Sequence, residues 1–289
     1  MCATCGCGAE TGVRVITFGA AHEPSNGHPH AHTHRHEPGH EHEPGHAHGH
    51  EPGHAHEHGH QPAPAPPASR ELELEVAVLA KNDEQAERNR GWLARHGVVA
   101  INVMSSPGSG KTTLLERTIS AVGDDLRVAV IEGDQETTFD ARRIRATGAE
   151  VVQVNTGAGC HLDAEMIERG LSALAPPAGT VVVVENVGNL VCPALFDLGE
   201  SSRVVVMSVT EGADKPLKYP HMFRRADVVV LNKIDLLPYV DFDTEAFAAA
   251  VAALRPQVRI IACSATTGSG MDAWLAWLRH AAAVAIDAA

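Results

Sequence analysis

The hydrophobic positions of the chain change period near residue 98. Between about 70 and 96, Leu72, Val76, Leu79, Trp92 and Leu93 recur at roughly helical spacing with charged residues between them, which predicts one or two helices ending near Gly97. Beyond Gly97, short and nearly continuous apolar runs take over. Residues 98–104, 127–131, 151–154, 180–184, 203–209, 228–231 and 258–262 are rich in Val and Ile and read as buried strands. Amphipathic segments with a helical period lie between most of them, among them 112–122, 163–174 and 244–254. Fully apolar strands joined by helices predict an α/β fold with a mostly parallel sheet covered on both faces. Ligands on such sheets bind beyond the carboxyl ends of the strands.

Composition separates a second region from this one. Of the 19 histidines in 289 residues, 15 lie between His22 and His60, interspersed with Glu, Pro, Gly and Ala and almost no aromatic residue. That stretch has too little apolar surface to offset the entropy of ordering its backbone, so a disordered tail is expected. Residues 61–69 are proline-rich and predict an extended spacer. The expected organisation is therefore a tail over 1–69, a helical segment over 70–97 that packs on the following domain, and an α/β domain over 98–289. The formal charge of −13 takes histidine as neutral, and below pH ~6.5 the tail becomes cationic. The acidic balance argues against nucleic acid as the main partner. No run of eighteen apolar residues and no signal-like leader is present, so a cytoplasmic location away from the membrane is expected.

Two sequence signals point to a nucleotide. Ser105-Ser106-Pro107-Gly108-Ser109-Gly110-Lys111-Thr112 matches a P-loop apart from Ser105 at the leading glycine, and it lies between an expected strand and an expected helix. Backbone N–H groups of such a loop face phosphates, Lys111 reaches the terminal phosphates, and the Thr112 hydroxyl can bind Mg²⁺. Asn232-Lys233-Ile234-Asp235 follows a Val-rich strand. A carboxylate there accepts two hydrogen bonds from guanine, which adenine cannot supply, so GTP is the expected nucleotide. Cys263-Ser264-Ala265, after the last strand, supports that expectation, since it resembles the Ser-Ala pair with which GTPases contact guanine. Asp134 and Glu185, in Glu132-Gly133-Asp134 and Glu185-Asn186-Val187-Gly188, are the expected Mg²⁺ or water-positioning residues, unless one of them caps a helix. No glutamine that would orient the attacking water stands out.

The remaining signals concern transition metals. Cys2, Cys5 and Cys7 bring three thiolates within reach of one ion, too close together for an ordinary disulfide framework. Such soft ligands suit Ni²⁺, Zn²⁺ or Cu⁺. The histidine tract can bind several ions weakly, as a store. Cys160-His161 and Cys192 follow neighbouring strands at the nucleotide end and form a second candidate set.

Taken together, these motifs resemble the HypB family, the nickel-incorporation GTPases of NiFe-hydrogenase maturation. The likeness is carried by the Cys-x-x-Cys-Gly-Cys start, the histidine tract, Leu79-Ala80-Lys81-Asn82-Asp83, the run from Ser105 through Thr113, Glu132-Gly133-Asp134-Gln135, Cys160-His161, the run from Glu185 to Pro193, and Asn232 to Asp235. The family is similar to this chain at Ser105 as well. The resemblance implies a dimerising P-loop GTPase with a tight amino-terminal nickel site at Cys2, Cys5 and Cys7. It also implies a nickel or zinc site at Cys160, His161 and Cys192 near the dimer interface, and handover with a HypA-type partner to the hydrogenase large-subunit precursor. The implied nucleotide contacts are Gly108, Ser109, Gly110, Lys111, Thr112, Thr113, Asn232, Lys233, Asp235, Ser264 and Ala265. Two other readings fit fewer residues. UreG-like urease GTPases resemble Cys-Pro-His at the metal motif, whereas Cys160 and His161 are adjacent, and a metal buffer with an uncoupled GTPase domain would show no link between nucleotide and metal.

Overall fold

The computed structural model describes residues 13–18 and 68–287. A single helix, α1 (Ala68–His96), covers the segment where one or two were expected. It stops at Gly97, whose φ of +60° lets the backbone turn away. The chain then alternates: β2 (Val99–Ser105), α2 (Lys111–Val122), β3 (Val128–Asp134), α3 (Phe139–Ala146), β4 (Glu150–Asn155), α4 (Ala164–Leu174) and β5 (Val181–Glu185). The second half runs β6 (Ser202–Ser208), α5 (Lys215–Lys218), α6 (Pro220–Arg224), β7 (Val228–Asn232), α7 (Thr244–Leu254), β8 (Arg259–Ala262) and α8 (Met271–Asp287). One further strand, β1 (Arg14–Thr17), precedes α1.

The strands form one sheet in the order β1-β4-β3-β5-β2-β6-β7-β8, parallel except for β1, which pairs antiparallel with β4. Strand β1 falls inside the segment expected to lack order. Four residues find pairing partners on the edge of β4, where open backbone groups would otherwise face solvent. All seven residues of β2 are buried, as its place at the centre of a two-sided sheet requires. One face packs on α2, α3 and α8 through Ile101, Leu114, Val130, Ile144 and Trp274, and Trp274 donates its Nε1–H to Thr118 Oγ1 at 2.8 Å. The other face is shared by α1 and α4 at one end, around Leu93, Leu162 and Leu171, and by α6 and α7 at the other, around Phe223 and Phe247.

The expected strands are all present. Six of them continue past their last apolar residue into polar ends: Ser105, Asp134, Asn155, Glu185, Ser208 and Asn232. Because the sheet is parallel, these ends share one edge. No helix among the described residues is long and apolar enough to cross a membrane.

Candidate nucleotide and metal site

At that edge the P-loop turns between β2 and α2 on two left-handed glycines, Gly108 (φ +75°) and Gly110 (φ +94°). A Cβ at Gly110 would lie 2.7 Å from Asn232 Nδ2, so only glycine lets the two loops approach. Asn232 joins them: its Nδ2 donates to Ser109 O at 3.0 Å, and its Oδ1 accepts from Lys233 N at 2.8 Å and Ala265 N at 3.1 Å. The Lys233 ammonium donates to Gly108 O at 2.6 Å. Ser264 Oγ accepts from Thr267 N at 3.0 Å and so braces the neighbouring turn. Asp235 Oδ1 is buried without a hydrogen-bond partner, as expected of a carboxylate held for a ligand.

Lys111 is 9% exposed and its ammonium donates to Ser105 Oγ at 2.7 Å. Burial lowers its pKa, and the Glu185 charge opposes that shift. Thr112 Oγ1 donates to Glu185 Oε1 at 2.6 Å. Burial raises the Glu185 carboxyl to about 7, against the pull of Lys111 and the Thr112 hydrogen bond. Beside it, in register across β3 and β5, stands Glu132, raised to about 9 by burial and then by Glu185 and Asp134. Glu132 Oε2 and Glu185 Oε2 are buried and unpartnered. A hydroxyl and two carboxyls, each with one orphaned acceptor oxygen, fit a hard divalent cation such as Mg²⁺.

Asp134 is engaged differently. Its carboxylate accepts from Gln135 N at 2.6 Å, from Thr137 N at 3.1 Å and from the Thr137 hydroxyl, and so holds the turn that enters α3. Helix α3 itself starts at Phe139 with Thr138 before it, so Asp134 holds the preceding turn and does not cap the helix. Glu132, quoted in the motif but given no role, is the acid that the register places next to Glu185. Gln153 extends the row, since β4 aligns it with Glu132. Its Nε2 donates to Thr137 O while its Oε1 is buried without a partner. Thr113 Oγ1 accepts a hydrogen bond from the Arg143 guanidinium at 3.0 Å.

Cys160, His161 and Cys192 come together although two loops supply them. Their ligand atoms lie within 4.8 Å of one another, with Sγ to Sγ at 3.2 Å and Cys160 Sγ to His161 Nδ1 at 3.8 Å. The sulfur separation is well beyond the roughly 2.05 Å of a disulfide. The imidazole stacks on Phe196 with centroids 4.0 Å apart, and burial keeps its pKa below the usual value, which favours the neutral form that binds metal. Asn189 Nδ2 donates to Cys160 O at 3.3 Å, and Asn186 Oδ1 accepts from Leu162 N at 3.1 Å. Gly133 lets β3 pass this loop, because a Cβ there would meet Leu162 Cδ1 at 2.7 Å. Cys263 is fully buried in the core and burial pushes its thiol to about 11, so it behaves as a small apolar residue. Cys2, Cys5, Cys7 and the histidine tract lie outside the described residues.

A P-loop, an Asn-Lys-x-Asp loop and a thiol–imidazole cluster on one sheet edge define a nucleotide-binding protein that also carries a group of side chains able to hold a metal ion. Comparison with known proteins agrees. Residues 99–262 match the nucleotide-binding domain of the CobW/HypB/UreG family. The chain is 55% identical to hydrogenase maturation factor HypB of Escherichia coli over 216 residues, 75% of this chain and 74% of that protein. HypB from Helicobacter pylori, solved in complex with nickel, superposes with a TM-score of 0.66 at 36% identity, covering 70% of this chain and 95% of that one. HypB from Archaeoglobus fulgidus gives a TM-score of 0.66 at 42% identity over 71% of this chain and all of that one. The chain belongs to the HypB hydrogenase maturation factors.

Proposed function

We propose that the protein hydrolyses GTP to GDP and phosphate and uses that cycle to control a nickel ion destined for the hydrogenase large-subunit precursor. The observation that carries this reading is the segment from Glu185 to Cys192. It starts on the Thr112 hydroxyl and ends on a metal-ligand sulfur, and Asn186 and Asn189 within it bind the loop of the other two ligands. A change at the terminal phosphate therefore reaches all three ligands through a few residues. In this reading Gly108, Ser109, Gly110 and Lys111 bind the phosphates, and Asn232, Lys233, Asp235, Ser264 and Ala265 bind guanine. Thr112 and Glu185, with Glu132 close by, would hold Mg²⁺, which when bound neutralises charge building on the β- and γ-phosphate oxygens. Lys111 draws the same charge from the other side.

Nickel is the cargo in this scheme, supported by the nickel complex of the Helicobacter pylori relative. The donor set also suits Zn²⁺. Cys2, Cys5 and Cys7 would form a separate tight site, and the histidine tract a store. Three protein ligands leave a coordination position for a second protomer, so dimerisation follows nucleotide and metal state, and a HypA-type chaperone is the expected exchange partner. The deciding experiment measures nickel affinity with GDP and with a non-hydrolysable GTP analogue, in the wild type and in Cys192→Ala. A coupling of ~1–3 kcal/mol, or about 5- to 150-fold in affinity, is expected in the wild type and should vanish in the variant. Equal affinities in the two nucleotide states of the wild type would reduce the protein to a metal buffer with an idle GTPase.

A further inference from the structure

The Leu79-Ala80-Lys81-Asn82-Asp83 motif on α1 has no part in the nucleotide chemistry, yet Asn82 is buried. Its Oδ1 accepts from Ala164 N at 2.9 Å, and its Nδ2 donates to Asp197 O at 2.8 Å. Seven residues on, two helical turns along the same face, Asn89 repeats the bridge. Its Nδ2 donates both to Ala164 O at 2.8 Å and to Leu198 O at 3.0 Å. Ala164 lies just after Cys160 and His161, and Asp197 and Leu198 lie just after Cys192. The close approach depends on Gly199, with φ +86°, where a Cβ would lie 2.8 Å from Asn89 Cβ and 2.9 Å from Arg90 N.

We propose that Asn82 and Asn89 are positioning residues of the Cys160, His161 and Cys192 centre, through which α1 holds the two ligand-bearing loops in register. The inference rests on the metal reading given above. A planar amide offers a donor and an acceptor at once, so one side chain fixes two backbones, and its removal leaves both buried groups unpaired. The two cysteine loops are far apart in sequence, and their own cross-ties are Asn186, Asn189 and the Phe196 ring. An ion that needs both sulfurs is therefore sensitive to any slack between the loops. Loss of an outer partner that orients a metal ligand costs ~10–100-fold in affinity.

The test uses the full chain with Cys2, Cys5 and Cys7 changed to Ser. Nickel is titrated against a competing chelator, and binding is followed by thiolate-to-nickel charge-transfer absorption, which imidazoles do not produce. Asn82→Ala is compared with Leu93→Ala, about 16 Å further along α1, which weakens the packing of the helix without removing either bridge. Asn82→Ala should lower nickel affinity ~10–100-fold and alter the absorption spectrum, with guanine-nucleotide affinity unchanged. Leu93→Ala should lower the thermal midpoint and leave nickel affinity alone. Should Asn82→Ala fold poorly, Asn89→Ala carries the same expectation. Nickel affinity that tracks thermal midpoint equally in both helix variants would overturn the proposal. An absorption signal lost in Cys192→Ala but untouched in Asn82→Ala and Asn89→Ala would overturn it alone, whereas a signal indifferent to Cys192→Ala would overturn the metal reading with it.

Discussion

Around Asn232 the polar atoms of the nucleotide site are tied to one another: the amide spans Ser109, Lys233 and Ala265, and the Lys233 ammonium closes on Gly108. On this side the buried, unsatisfied side-chain atom is Asp235 Oδ1. At the ends of β3, β4 and β5, by contrast, Glu132 Oε2, Gln153 Oε1 and Glu185 Oε2 all lie buried without partners in one cross-strand row. Each such group costs about 1–3 kcal/mol when left unmade. In the proposed reading the guanine side is thus built in advance, while the other side is held in an arrangement that a cation and its waters would relieve. In that reading recognition and switching fall to different strand ends.

Removing Lys111 tests the contrast most severely. Lys111→Ala takes a charge from the phosphates and the counter-charge from Glu185, so phosphate release should slow by about 10²–10³-fold, the effect of losing one well-placed donor. Release at the wild-type rate would dissolve the P-loop assignment. Asp235→Asn acts only on the preformed side. Guanine nucleotide binding should weaken by about 1.5–3 kcal/mol, roughly 10- to 150-fold, while xanthine nucleotides gain. An unchanged base preference by equilibrium binding would refute the guanine role.

The strained side should respond to pH instead. Folding raises the Glu132 carboxyl from 4.5 to about 9 and the Glu185 carboxyl from 4.5 to about 7. The folded state thus keeps protons that the unfolded state gives up. The stability of the nucleotide-free protein should be full below pH ~4.5 as far as these groups are concerned, and fall as pH rises through 7 toward 9. Glu132→Gln, a neutral isostere, should flatten the fall above pH 7 in thermal midpoints taken without Mg²⁺; an identical slope would show that Glu132 does not titrate there. The smallest effect on catalysis is expected from deleting residues 22–60. The number of nickel ions bound should drop sharply with hydrolysis unchanged, and loading through the tract should fade below about pH 6 as imidazoles protonate. Undiminished stoichiometry by metal analysis would end the storage role.

Local pattern sufficed for the alternation of strands and helices, because a strand buried on both faces must be apolar along its length. The same criterion stops at Met104, Ile131, Val184 and Leu231, one to three residues before the strands do, and the residues beyond are those that make the site. The P-loop and the Asn-Lys-x-Asp loop were legible because backbone geometry and base pairing constrain consecutive residues. Glu132 was not, since its partner across the sheet is set by register between β3 and β5, which no local run encodes. The tie from the Asp134 carboxylate to the turn before α3 is likewise a feature of the folded loop that no local run encodes. Strand β1 and helix α8 went unread. One is four residues of half-exposed edge, and the other an Ala-rich segment with little polar contrast.

Strand β1 places the first described residues of the chain on the sheet. Being antiparallel to β4, it sets Arg14 against Asn155, at the end of the sheet from which the chain runs on to Cys160. Cys7 lies seven positions before Arg14, and a fully extended chain of that length spans no more than about 25 Å. Covalent geometry alone therefore keeps the Cys7 Cα within that reach of the sheet end that leads to Cys160, whatever the concentration of protein in solution.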